Sequence, residues 1–163
     1  MFIRGQIITF KLQSKYYLLS ILAATFCSLT QAAGPLPLDK LNLPAGFSIA
    51  VFAEVENPRQ MAHGEDGDIY VGSLRAGKVH LVRDINADGK ADQVTVVAAN
   101  LDLPSGLAYR EGDLYVGALN QILAFRNIQQ QLRNKAPDQL ATSEVLTARL
   151  PAERHHGWKY LEF

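Results

Sequence analysis

The sequence predicts an all-β chain: a partial β-propeller of about two blades plus the first strand of a third, behind an N-terminal signal helix. Three observations predict it. "GDIYVG" at Gly67–Gly72 returns as "GDLYVG" at Gly112–Gly117, 45 positions later. A period of roughly 40–50 residues made of short strands is the mark of a propeller blade. The repeated units break into short apolar or alternating runs, rich in β-branched and aromatic residues and bounded by Gly and Asp, which is how strands joined by tight turns read. A further copy opens at the chain end, where Trp158 takes the place of Pro104, and Phe163 that of Tyr109 and His63.

Residues 1–33 read as a signal peptide and are set apart from the fold. Arg4, Lys11 and Lys15 supply a basic start, and Tyr16–Leu29 is an uncharged apolar run of about 14 residues. That is short of the ~20 residues a membrane-spanning helix needs. "LTQAA" then offers small residues for cleavage after Ala32 or Ala33. The alternative is an N-terminal membrane anchor, against which the short apolar core and the following "GPLPLD" both speak. The single cysteine, Cys27, falls in this segment, so the mature chain is expected to carry neither disulfides nor thiolate metal sites. A periplasmic or secreted protein is expected, with no membrane contact after cleavage.

Residues 34–163 are expected to form the propeller part. The first blade reads as "RQMAHG", "DIYVGSL", "KVHLVRD" and "QVTVVAA". The second reads as "GLAYR", "DLYVGA", "ILAFRN" and "SEVLTAR". Between the last two strands of the second blade, "IQQQLRNKAPDQLAT" is a polar insertion with room for a short helix. The third blade is represented by its inner strand alone, Trp158–Phe163. A propeller has four to eight blades, so the chain reads as the N-terminal part of a larger fold. By itself it is expected to be marginally stable and inactive.

The loop joining the third and fourth strands of the first blade is acidic. In "DINADGKAD", Asp84, Asn86, Asp88 and Asp92 stand at loop positions 1, 3, 5 and 9, with Gly89 at 6 and the Lys90 carbonyl at 7. This is the oxygen-ligand spacing of a calcium loop. Position 12 is Thr95, not glutamate, and the flanks are strands, so the loop is not an EF-hand. Calcium here is expected to be structural. The alternative is a polar hairpin turn in which Asn and Asp bond their own backbone.

The connection "LPAERHHGW" carries His155 and His156 from the second blade to the third. Such connections pass near the central channel, where ring-shaped folds place ligands. A neutral imidazole there suits a general base; the alternative is a pair of surface histidines. Bulk charge excludes one class of partner: 16 basic and 16 acidic residues give a formal net charge of zero, so nucleic acid is not expected.

"LNLPAGFSIAVFAEVENPRQMA", "DIYVGSLRAGKVHLV", "GLAYREGDLYVGALNQILAF" and "HHGWKYLEF" together resemble the PQQ-dependent glucose and sorbosone dehydrogenases, soluble six-bladed β-propellers. The resemblance covers nearly all of the mature chain. It implies an oxidoreductase that takes hydride from a sugar hydroxyl or aldehyde hydrate to the C5 carbonyl of PQQ. His156 matches the histidine that takes the hydroxyl proton. His155 matches the preceding substrate contact, which is acidic in glucose dehydrogenases. Asp102, or Leu101, stands where those enzymes place a glutamine near the sugar. Both departures favour the sorbosone-like branch over glucose. The family's lysine and arginine contacts to PQQ lie in later blades, and Arg75 reads more simply as a solvated loop charge. The implied partners are a sugar-like small molecule and an electron acceptor that the residues do not identify. Two other readings stay open: a non-catalytic binding propeller, and a calcium-dependent lactonase-type propeller with a metal in the channel. Glu56 and Asp102, at the repeat position of His156, are the carboxylates that the second would use.

Overall fold

In the computed structural model, residues 36–136 and 138–163 are described. The signal segment expected over residues 1–33, with Cys27, lies outside the described residues. Two units are distinguished, residues up to Lys40 and Leu41–Phe163. The described part of the first is a single 3-10 turn, Leu38–Lys40. The second contains all of the strands among the described residues.

Among the described residues the alternating runs become eight strands in two antiparallel meanders. The first sheet is β1 (Pro58–His63), β2 (Ile69–Ser73), β3 (Val79–Arg83) and β4 (Gln93–Ala98), adjacent in chain order. The second is β5 (Gly106–Arg110), β6 (Asp113–Gly117), β7 (Ile122–Phe125) and β8 (Glu144–Thr147), in the same order. The all-β class therefore holds, and each expected blade is one four-stranded sheet. A short helix, α1 (Ile128–Arg133), fills the insertion before β8. The two repeats share their turn chemistry. Glu111 and Gly112 join β5 to β6 with φ of 51° and 89°, and Asp66 and Gly67 between β1 and β2 have φ of 52° and 82°. Paired left-handed residues match the twist of a tight hairpin.

The middle strands are the most buried. In β3, Val79, His80, Leu81 and Val82 are all buried, whereas β1 alternates between half-buried and exposed residues. One apolar cluster spans both sheets: Tyr70, Val79, Leu81 and Val97 from the first, and Leu107, Leu114, Val116, Leu123 and Phe125 from the second, with Ile128 of α1. Burial of this apolar area is what holds sheet to sheet.

The close approach of the sheets explains two glycines of the repeat. A Cβ on Gly72 would fall 2.5 Å from the Pro104 carbonyl oxygen and 3.3 Å from Leu107 Cγ. Its counterpart, Gly117, would place a Cβ 2.9 Å from Lys159 Cβ and 3.4 Å from Leu161 Cγ. The same glycine thus receives the start of the next unit both times. Trp158–Phe163, expected as the inner strand of a third blade, forms no ladder. It lies against Gly106 of β5 and Gly117 of β6 and is held by other means. The Lys159 amide donates to Ser105 Oγ at 3.1 Å, Gln60 Nε2 donates to Leu161 O at 3.1 Å, and Phe163 meets Tyr115 edge-on at 4.9 Å. A ladder needs a second strand beside it, and none of the described strands is placed there.

Gln60 also joins the inner strands. Its Nε2 donates to Leu107 O at 3.0 Å, and its Oε1 accepts from Leu107 N at 3.2 Å. A second polar contact ties the first sheet to α1. Arg83 donates to both carboxylate oxygens of buried Asp68, at 2.8 and 2.9 Å, and to Gln129 Oε1 at 2.7 Å. Gln129 returns an N–H to Asp68 and another to the Tyr70 hydroxyl.

His80 sits in the middle of the first sheet, opposite Val71 and Val96. Its Nδ1 has no hydrogen-bond partner among the described residues. Burial, reinforced by the Lys78 charge, holds its pKa below the ordinary histidine value. The sign of the pH dependence follows. Above about pH 6.5 the ring is neutral in both the folded and unfolded states. Below that the unfolded chain takes up the proton first, so stability falls with pH. The melting temperature is expected to drop between pH 7.5 and pH 5.5, and by less in His80→Leu. An equal drop in both proteins would remove His80 from the account.

Candidate functional site

Three connections, leading into β1, into β5 and into Trp158–Phe163, each carry a left-handed residue. Asn57 (φ 53°) precedes Pro58, and Leu103 (φ 48°) precedes Pro104. In the last connection His156 (φ 58°) stands two places before Trp158. Left-handed backbone is uncommon for a residue with a Cβ, though histidine accepts it more readily than most. At Leu103 this turn swings the chain from β4, the last strand of the first sheet, to β5, the first strand of the second.

Gly157 lets the last turn close. A Cβ there would lie 2.3 Å from Leu119 Cδ1 and 2.4 Å from the Glu153 carbonyl oxygen, so only glycine fits. The Gly157 amide donates to the Arg154 carbonyl at 3.3 Å. The turn leaves both histidine rings exposed. They meet edge-on at 4.3 Å, and the His156 ring meets Trp158 edge-on at 5.1 Å.

Asp102 is brought to the same place. Its carboxylate accepts from Arg154 Nη1 at 2.9 Å, and its carbonyl accepts from the Leu119 amide at 2.8 Å. Leu119 is also the residue that Gly157 packs against. Arg154 thus ties Asp102 to the connection that carries His155 and His156, 53 and 54 positions later in the chain. Glu56, at the repeat position of Asp102, is bound instead to Lys78 Nζ at 2.7 Å. That hydrogen bond, with the Lys78 charge, holds the Glu56 pKa below the usual carboxylate range.

Beside this group is an open cavity of about 350 Å³, lined by Arg59, Gln60, Ser105, Trp158, Lys159 and Tyr160. The Arg59 guanidinium lies 5.7 Å from the centre of the Trp158 ring. Trp158 therefore stands between His156 and a pocket that carries two cationic side chains. Residue-by-residue reading missed Arg59, Gln60 and Lys159, because a lone cation on an alternating strand gives no sign of where it points. The aromatic–cation pair in "GWK" was the available signal.

The acidic loop lies elsewhere, between β3 and β4. Its oxygens turn inward. Asp84 accepts from the Asp88 and Gly89 amides, Asn86 Oδ1 from the Asp88 amide, and Asp88 Oδ1 from the Lys90 amide. Asp92 Oδ2 accepts from the Ile85 and Asn86 amides, and Asp92 Oδ1 from the Asn86 side chain. This is the self-bonded Asx arrangement of a polar turn. A carboxylate has about four acceptor sites, so the loop keeps lone pairs to offer a cation. Asp88 Oδ2 has no donor among the described residues. No group of three or more His, Cys, Asp or Glu side chains among them converges as a metal site, and no described helix is long and apolar enough to cross a membrane.

Residues 36–136 match the model of a family described as a domain of unknown function, DUF7133. A protein of Borreliella burgdorferi, described as uncharacterized, is 23% identical over 94 residues; the match covers 56% of this chain and 23% of that relative. The chain thus corresponds to about a quarter of the relative's length, and neither description states an activity.

Proposed function

We propose that this chain, a member of the DUF7133 family, forms two blades of a PQQ-dependent dehydrogenase acting on a sugar-like hydroxyl or aldehyde hydrate. The observation that carries the reading is the grouping of His156, His155 and Asp102 beside the Arg59–Trp158–Lys159 pocket. The resemblance of "HHGWKYLEF" to the glucose and sorbosone dehydrogenases supplies the chemistry. The reading places the protein in the periplasm or outside the cell, in keeping with the composition of residues 1–33.

The side-chain types suit the cofactor. PQQ is a planar tricarboxylate. Arg59 and Lys159 would supply positive charge to its carboxylates, and Trp158 an aromatic face. When bound, the quinone supplies the carbonyl that accepts hydride. The chain's own residues do the rest. His156 takes the substrate hydroxyl proton on an imidazole nitrogen, as a general base does. Asp102, oriented by Arg154, accepts a hydrogen bond from a neighbouring hydroxyl. His155 contacts the substrate beside the reacting carbon. Gly157 and Leu119 fix the turn that aims the imidazole, and orientation of this kind is itself a large part of catalysis.

A metal in the channel, as in the lactonase-type reading, has less support. Glu56 and Asp102 each already hold a cationic side chain. Calcium is proposed instead for the Asp84, Asn86, Asp88, Lys90 and Asp92 loop, where every donor is oxygen. Calcium up to millimolar concentration is expected to raise the melting temperature, since weak extracellular sites bind at about 10⁻⁴–10⁻³ M. Asp88→Ala abolishes the rise. No rise in the unaltered chain would make the loop a plain turn.

The functional reading is tested by reducing a redox dye with an aldose in a closed six-blade form whose first two blades are residues 36–163. Reduction that needs both PQQ and sugar supports it. Sugar binding without reduction would favour a non-catalytic binding propeller.

A further inference from the structure

The first sheet is covered on both faces. Tyr70, Val79, Leu81 and Val97 turn toward the second sheet. Strand alternation turns Val71, His80 and Val82 the other way, yet these three are only 4%, 5% and 1% exposed. Residues 52–57 supply the second cover. The Phe52 carbonyl accepts from the Ala91 amide at 2.9 Å, and the Asn57 carbonyl from the Leu74 amide at 3.1 Å. Asn57 Oδ1 accepts from the Arg75 amide at 3.2 Å, and Glu56 from Lys78 Nζ at 2.7 Å. Leu74, Arg75 and Lys78 belong to the turn that enters β3, and Ala91 to the loop that leaves it. The segment is thus tied at both ends of β3. Because β3 is flanked by β2 and β4, a segment along it crosses a face, and the other face carries the second sheet. Phe52, Ala53 and Val55 are half-buried, and Glu54 is exposed.

His80 lies under this cover. Its cross-strand row is Met61, Val71, His80 and Val96, with no other charged or titratable member. The charges that act on the ring are Lys78, at the start of its own strand, and Glu56 of the covering segment. Its Nδ1 has no hydrogen-bond partner among the described residues. A protonated imidazole is a donor at both nitrogens, and a buried donor or charge without a partner is costly. Glu56, the one carboxylate acting on the ring, is already bonded to Lys78.

We propose that residues 52–57 form a strap over the first sheet and that His80 beneath it is an acid-sensitive latch: a proton on its ring releases the strap while the two sheets stay folded. The strap is the part that yields. It is held by a few loop hydrogen bonds, one exposed ion pair and half-buried side chains, and local opening starts at such segments. Release exposes the ring to water and frees Glu56 to meet it. Pro58 and Arg59 follow Asn57 directly, so release reaches the Arg59 side of the pocket beside Trp158. The inference rests on the packing of the strap and is independent of the dehydrogenase reading.

The sign follows from the two states. Burial and the Lys78 charge hold the ring's pKa below the ordinary histidine value under the closed strap, and opening returns it to about 6.5. The open form therefore gains population as pH falls below about 6.5, by up to about tenfold per pH unit.

Hydrogen exchange of the full chain tests this, with rates corrected for the intrinsic effect of pH. The Leu74, Arg75 and Ala91 amides donate to the strap and report its release, while the amides of Val79–Arg83 report the sheet. The three strap-bound amides are expected to exchange faster than those of Val79–Arg83. Their protection is expected to fall by up to about tenfold between pH 7.5 and pH 5.5 in the unaltered chain, and to stay constant in His80→Leu. His80→Gln, neutral at both pH values, gives the same result and serves if the leucine variant does not fold. Protection of the three amides equal to that of Val79–Arg83 would mean that the strap leaves only with global unfolding, and overturns the proposal. So does protection that is independent of pH in the unaltered chain, or that falls equally in the His80 variants.

Discussion

In a closed six-blade form carrying residues 36–163, His156→Ala is expected to lower turnover roughly 10²–10⁴-fold, the span of general acid–base catalysis. The loss follows from the proposed role, in which the imidazole takes the hydroxyl proton. PQQ binding is expected to persist, because the resemblance places the family's charged PQQ contacts in later blades and not at His156. His155→Ala is expected mainly to raise KM, as a contact made equally in ground and transition states does. A reversal of the two effects would move the base to His155. Full activity in both variants would return the histidines to the surface.

Arg83→Ala carries the largest expected effect on stability. Removing one partner of a buried pair typically costs about 3–5 kcal/mol, because the remaining charge has no partner. Asp68 is almost fully buried, with 7% of its side chain exposed, but Arg83 keeps 33% of its own in water. The loss is therefore placed at the lower end, about 3 kcal/mol in denaturant unfolding. Arg83→Lys restores only part of it, because an ammonium cannot reproduce the two-pronged bond. Gln129 bonds both partners, so the loss also loosens α1 from the first sheet. A change below about 0.5 kcal/mol, the range of ordinary surface substitutions, would show that the network does not hold the helix.

The fold was legible because its signal is local and periodic. Val79–Arg83 and Ile69–Ser73 could be read as strands from β-branched residues and bounding turns, and "GDIYVG" against "GDLYVG" set the blade length. The close approach at Gly72 was not legible, since it depends on where Pro104 arrives from the neighbouring sheet. Nor was the Asp68–Arg83–Gln129 network, whose members are 15 and 46 positions apart. At the site, the histidines stood out because two adjacent imidazoles in a connection are conspicuous. Arg59 and Lys159 did not, because only packing places them around Trp158.

Dye reduction by the closed six-blade form, measured with and without PQQ and with and without an aldose, tests the central claim most directly. The account predicts reduction only when cofactor and sugar are both present. Absence of PQQ-dependent reduction in a folded, PQQ-loaded protein, across aldoses and aldehyde hydrates, would contradict it.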